Sequence, residues 1–363
     1  MIGIVAGALA SGLDAVIEYL AAHTITCLVP AFFIAGAIAA FVKKDAILKY
    51  FSPQAKKSVS YGIASVSGIV LAVCSCTILP MFAGILKKGS GIGPATTFLY
   101  AGPAINILAI IYTASVLGFD IGLARAVFAV ILAILIGLVM SVVFRSHDDE
   151  ARTAGGPMMA GGGEDERPRW ATLSFFGALV LILVIGASSL DLTLRLGIVY
   201  LLTIAVALLL VYFYEPDEVT DWGYEIWDLT KKIFPVLIAG TFLVGIIAFF
   251  LPPETFIPLF GDSSPFACFM GAIIGGILYM PTLLEVPIIG GTFGYTQGIM
   301  GAGPALALLL AGPTISLPSV LVLLRVMGAK KTAVYVALVV IFSTVAGFIF
   351  GNVLAPGIPG CGA

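Results

Sequence analysis

The sequence predicts an all-α polytopic membrane protein of about ten transmembrane helices in two pseudo-symmetric repeats with broken central helices, and three observations predict it. The first is composition. The 363 residues are 60% hydrophobic and only 10% charged, with a mean hydropathy of +1.13. A soluble fold of this size could not cover its surface with so few charges. The second is charge spacing. Uncharged stretches run 58–86, 89–119, 126–144, 170–190, 196–214, 233–253, 263–284, 286–324 and 332–363. Most reach the ~20 apolar residues that a bilayer core demands of a helix.

The third is an internal repeat. A shift of 210 positions lays Gly84, Gly91, Gly93, Pro94, Ala95, Leu99, Ala101, Gly102, Pro103 and Ile105 on Gly294, Gly301, Gly303, Pro304, Ala305, Leu309, Ala311, Gly312, Pro313 and Ile315. The same shift carries Gly137 onto Gly347. Paired G-P-A and A-G-P triplets at one spacing are the part that chance in a glycine-rich sequence explains least.

These observations divide the chain into a first repeat at 1–145, a linker at 146–169, two connecting helices within 170–214, and a second repeat at 215–363. The linker carries DDEAR, AGGPMMAGGG and EDERPR, and its glycines and mixed charges suit a surface segment. Residues 2–20 read as an amphipathic lead-in rather than a cleavable signal, because Asp14 and Glu18 interrupt the apolar run and no basic segment precedes it. Five cysteines, mostly within apolar segments, do not suggest a disulfide framework. The net charge of −2 gives no basic stripe for nucleic acid, so the expected partners are the lipid bilayer and a small solute. Orientation stays open. The lysines at 43, 44, 49, 56 and 57 place one loop in the cytoplasm, and the uncharged-to-acidic loop 252–264 favours inverted halves. Arg325, Lys330 and Lys331, read as a loop equivalent to one holding Arg125, favour parallel ones.

Candidate site residues lie in the two central regions, 72–106 and 281–318. Pro80, Pro94, Gly102 and Pro103 in the first, and Pro287, Pro304, Gly312 and Pro313 in the second, are expected to break helix near 74–80, 100–104, 281–287 and 311–314. Freed backbone in a bilayer is tolerated only where protein or a wet cavity covers it, so matched breaks point to a transport site. Proline-kinked helices packed through small residues are the plainer alternative. Cys74 and Cys76 open the first region, and paired thiols suit soft ions and thiophilic centres, although free cysteine is also a common buried residue. Glu285 stands without another charge from 263 to 324, as a coupling carboxylate or as an interfacial one satisfied by water. Asn106 and Ser316 occupy equivalent positions after the two A-G-P triplets, where they could face a substrate or satisfy freed backbone. Thr96, Thr97 and Gln297 are weaker candidates, and Lys87 and Lys88 are expected to snorkel to a membrane face.

No phosphate-binding G-x-x-x-x-G-K-[ST], H-E-x-x-H or G-x-S-x-G motif occurs, which leaves ATP hydrolysis, a zinc protease and a serine hydrolase without support. No cofactor is implied, and no metal is specified. The stretch CSCTILPMFAGILKKGSGIGPATTFLYAGPAIN resembles the signature of the predicted permeases that include the ArsP-type organoarsenical efflux proteins. PTLLEVP and GAGPALALLLAGPTISLP are similar to that family's C-terminal portion, so the resemblance covers most of the chain. It implies a permease of the cytoplasmic membrane and, for ArsP-type members, export of trivalent organoarsenicals with Cys74 and Cys76 as thiol ligands. A channel-like pore, or a membrane-embedded subunit or enzyme requiring a partner, remains the alternative.

Overall fold

The computed structural model describes residues 2–21, 29–41, 56–71, 75–87, 89–145, 168–186, 191–250, 257–278 and 285–354. Among these the secondary structure is helical throughout, with no strand. The chain runs α1 (Ile2–Tyr19), α2 (Val29–Phe41), α3 (Lys57–Leu71), α4 (Ser75–Lys87), α5 (Ile92–Ala104), α6 (Ile107–Val116) and α7 (Phe119–Val143). It continues as α8 (Arg169–Gly186), α9 (Leu192–Phe213), α10 (Pro216–Phe250) and α11 (Pro265–Ile277). A single turn, Glu285–Pro287, passes into a π turn, Ile288–Thr292, before α12 (Ala302–Ala311), α13 (Leu317–Met327) and α14 (Ala329–Ile349).

Among the described residues four helices are long and apolar enough to cross a membrane: Phe119–Val143, Thr193–Phe213, Pro216–Ile247 and Ala329–Leu354. A fifth crossing forms if Ile92–Ala104 and Ala109–Val116, whose axes bend by 43°, count as one broken span. In α9, Leu194, Leu196, Tyr200, Leu201, Leu208 and Val211 are all exposed on the protein surface. A helix apolar on every side and uncovered by protein needs lipid around it.

The elements after residue 90 recur at the 210-residue spacing that separates the halves. Gly91 and Gly301 precede α5 and α12 in nearly the same extended conformation, at φ −63°, ψ 145° and φ −66°, ψ 151°. Gly118 and Gly328 join α6 to α7 and α13 to α14, both with positive φ (118° and 83°), where a side chain would strain the backbone. Helix contacts recur as well. A methyl on Gly137 of α7 would collide with Thr97 Oγ1 and lie 2.7 Å from the Gly93 carbonyl of α5. A methyl on Gly347 of α14 would collide with the Gly303 carbonyl of α12. Bare glycine backbone therefore sets both approaches, as is usual where no hydrophobic effect drives helices together.

The breaks differ from the sequence expectation. Pro80 does not interrupt its segment; it lies inside α4, which runs unbroken to Lys87. Pro94 and Pro304 stand third in α5 and α12, where the backbone N–H has no intrahelical acceptor to lose. Gly102 and Pro103 fall within the last turn of α5, and the chain leaves the helix only at Ile105 and Asn106. Gly312 and Pro313 do follow the end of α12, whereas Pro287 keeps helical dihedrals (φ −67°, ψ −30°) and runs directly into the π turn, so no break falls at it. The expected break at 74 and Pro281 lie outside the described residues, as do Lys88 and residues 146–167 of the linker.

Candidate site: a buried ion pair where the halves meet

Helix α7 is apolar along nearly all its length, yet Arg125 sits in its second turn with 0% of its side chain exposed. Arg125 is thus a helix-interior residue and not the loop residue that the charge count suggested. Its Nη2 donates to Glu285 Oε2 at 3.3 Å, and Glu285 is also 0% exposed. Nη1 donates to Thr113 Oγ1 at 2.9 Å, and that hydroxyl donates onward to the Ala109 carbonyl at 2.6 Å. Glycine at 312 makes room for the carboxylate, since a Cβ there would stand 2.5 Å from Glu285 Oε1. One ion of the pair comes from the first half and the other from the second. Two charges taken out of water this way persist only because each has the other, and losing one partner costs about 3–5 kcal/mol.

Around the pair lies more polar chemistry than a packed apolar core requires. The Tyr100 hydroxyl of α5 donates to the Leu310 carbonyl of α12 at 3.3 Å, joining two positions 210 residues apart. Ser343 and Tyr335 of α14 and Arg125 neighbour the same tyrosine. Tyr335 itself is the 210-residue equivalent of Arg125. Among the described residues, Arg125 Nε, Glu285 Oε1, Tyr335 Oη and Ser343 Oγ are buried and meet no hydrogen-bond partner. Each such atom costs about 1–3 kcal/mol. Several together mark a place built to receive something polar.

The residues singled out from sequence are distributed as follows. Asn106 Oδ1 accepts from the Ala109 amide and Ser316 Oγ from the Ser319 amide, each at 3.4 Å, so both cap the helix that follows. Ser316 Oγ also shares a 2.7 Å hydrogen bond with Ser319 Oγ. Of the two readings offered for this pair, satisfaction of freed backbone is what the geometry displays. Cys74 lies outside the described residues, and Cys76 falls in the first turn of α4 with its side chain outside them. Thr96 bonds back to the Ile92 and Gly93 carbonyls within α5, Thr97 packs on Gly137, and Gln297 is exposed in a 3₁₀ turn. Among the described residues no three His, Cys, Asp or Glu side chains converge as a metal site would need. Arg125 is the partner of Glu285 that reading the sequence missed. Its signal was present, since 89–119 and 126–144 are uncharged on either side and mark it as a lone intramembrane charge, the natural counterpart of Glu285.

A second feature is a cavity of about 780 Å³ among the ends of α4 and α13, the start of α14 and the middle of α10. Lys87, Lys231, Lys232, Arg325 and Lys331 line it, against the single carboxylate Asp228. Lys87 reaches Glu225 at 2.6 Å and Asp228 at 3.4 Å, with its side chain 46% exposed.

Apolar helices exposed to lipid around a buried charge pair define a multi-pass integral membrane protein. The family model described as a predicted permease, ArsP_1, matches residues 10–352, and the chain belongs to this predicted permease family. The chain is 44% identical over 354 residues to UPF0718 protein MJ0584 of Methanocaldococcus jannaschii, covering 94% of this chain and 95% of that one. It is also 23% identical over 278 residues to UPF0718 protein YraQ of Escherichia coli, covering 76% and 63% respectively. No solved structure matches the chain significantly.

Proposed function

We propose that the protein is a secondary permease of the cytoplasmic membrane that moves a small solute between two inverted repeats. The observation that carries this reading is the ion pair joining the halves, Arg125 to Glu285, fully buried and surrounded by unpaired polar atoms. A coupling carboxylate at a repeat interface is what a transporter requires, and an enzyme would need a wider set of catalytic groups.

The inverted arrangement rests on which ends meet. α5 begins beside Gly137 and Ser141, near the α7 end that carries Arg145 and just after the α4 end that carries Lys87. The equivalent second-half path through α12 and α13 finishes, rather than begins, on the Lys87 side, because Arg325, Met327 and Lys331 line one cavity with Lys87. Basic side chains gather on this face, and the opposite helix ends carry Asp120, Asp191 and Asp262, with Arg195 as the exception. By the positive-inside rule the basic face is cytoplasmic. Single-cysteine variants at Lys330 and Asp262 test the topology: an impermeant maleimide applied to intact cells is expected to label the second and not the first. Labelling of both from one side would overturn inversion.

The thiophilic solute implied by the family resemblance gains support from depth. Cys76 lies eleven residues along α4 from Lys87, roughly 17 Å at 1.5 Å per residue, about half of a ~30 Å hydrocarbon core. Purified protein in liposomes is expected to carry methylarsenite across the bilayer faster than protein-free vesicles. Uptake indistinguishable from empty liposomes, with metalloid, thiol and small-anion probes alike, would remove the permease reading.

A further inference from the structure

We propose that the polar core takes up a small anion together with a proton, with Arg125 as the anion's counter-charge and the basic cavity as its collecting funnel. This rests on the permease reading and adds a substrate class to it.

The argument is one of charge conservation in a low dielectric. With Glu285 ionised, the pair is neutral and Arg125 has its partner at 3.3 Å, so a lone anion entering would leave an excess negative charge buried. When a proton adds to a Glu285 carboxylate oxygen, forming one O–H bond and a neutral acid, Arg125 becomes the uncompensated charge. Among the described residues nothing else can balance it. The ionisable groups around the pair are Tyr100 on α5 and Tyr335 on α14; α6 contributes Thr113, and α12 contributes backbone and apolar side chains. Neither tyrosine supplies negative charge at neutral pH. An anion does, and it finds donors waiting: Arg125 Nε, Tyr335 Oη and Ser343 Oγ are buried without partners. Proton and anion therefore bind as a unit, and each is excluded without the other.

The cavity among α4, α10 and α13 supplies an independent observation of the same sign. Five basic side chains line it with Asp228; Lys87 is paired with Glu225 and Lys232 with Asp228, yet the lining keeps an excess of positive charge, and a low-dielectric cleft with such an excess concentrates anions.

The test is binding, not flux, so that its failure leaves the permease reading to the liposome assay. Chloride, nitrate and inorganic phosphate are the probes, titrated against the full-length protein in detergent across a pH series, with melting temperature as the readout. At least one probe is expected to raise the melting temperature by roughly 3 °C or more at acidic pH. Its apparent affinity is expected to fall about tenfold per pH unit on the alkaline limb, the slope that one linked proton dictates. Glu285→Gln, which mimics the proton-loaded acid, is expected to bind the same probe at every pH, and Arg125→Gln to bind none. A wild-type affinity independent of pH overturns the proposal, as does the absence of any shift with all three anions. Binding lost on Lys231→Gln/Lys232→Gln but kept by Arg125→Gln would also overturn it, placing the anion in the cavity alone. Should Glu285→Gln fail to fold, the wild-type slope decides by itself.

Discussion

Arg125→Leu alone is expected to destabilise the protein by about 3–5 kcal/mol, because it strands the Glu285 carboxylate in the protein interior with no counter-ion. Glu285→Leu strands Arg125 and is expected to cost a similar amount. The double variant, Arg125→Leu with Glu285→Leu, removes both ions and their desolvation penalty at once. It is expected to recover most of the loss, and replacements of this kind have ended anywhere from neutral to about 4 kcal/mol more stable than the native pair. Denaturation in detergent micelles, followed by tryptophan fluorescence from Trp170, Trp222 and Trp227, measures all three. A double variant no more stable than the worse single one would show that the two charges are not partners. If the pair serves coupling, the double variant folds and does not transport; if it only holds the halves together, the double variant folds and transports normally.

The second large effect concerns the thiols of Cys74 and Cys76. Cys74→Ser with Cys76→Ser is expected to lower methylarsenite transport at least tenfold without changing folding. Serine keeps the size of the side chain, while its hydroxyl binds soft centres poorly where a thiolate binds them well. A one-unit difference in log rate corresponds to about 1.4 kcal/mol, modest for the loss of a sulfur–arsenic contact. Each thiol should also react with a small maleimide and be protected by the solute. Unchanged transport by the double serine variant would refute thiol coordination and turn attention to Arg125 and Glu285 as the whole of the site.

Much of this molecule was legible before any coordinates. Charge spacing announced the apolar helices, because a bilayer excludes ionised side chains and so writes its thickness into the chain. The 210-residue repeat was visible in glycines, and the structure accounts for why glycines carried it: positions 93, 137, 303 and 347 sit where helix backbones touch. Asn106 and Ser316 stand 210 residues apart, and the side chain of each accepts from an amide in the first turn of the helix that follows, α6 and α13. Proline was read too strongly. A proline in a first turn costs no hydrogen bond, and whether Pro94 falls in a first turn depends on Gly91 having ended the preceding loop.

Sequence alone settles the membrane medium and the helical class, since both follow from local chemistry repeated along the chain: apolar length and absent charge. Only the tertiary structure decided that Arg125 and Glu285, 160 residues apart, are one unit, and that Tyr100 closes onto its own equivalent position, Leu310. The gathering of Lys87 with Arg325 and Lys331 about one cavity is likewise a matter of packing. The physical reason is the same in each case. A buried charge states in sequence only that it must have a partner, because the energy that demands one is paid back through space, and the partner's identity belongs to the packing.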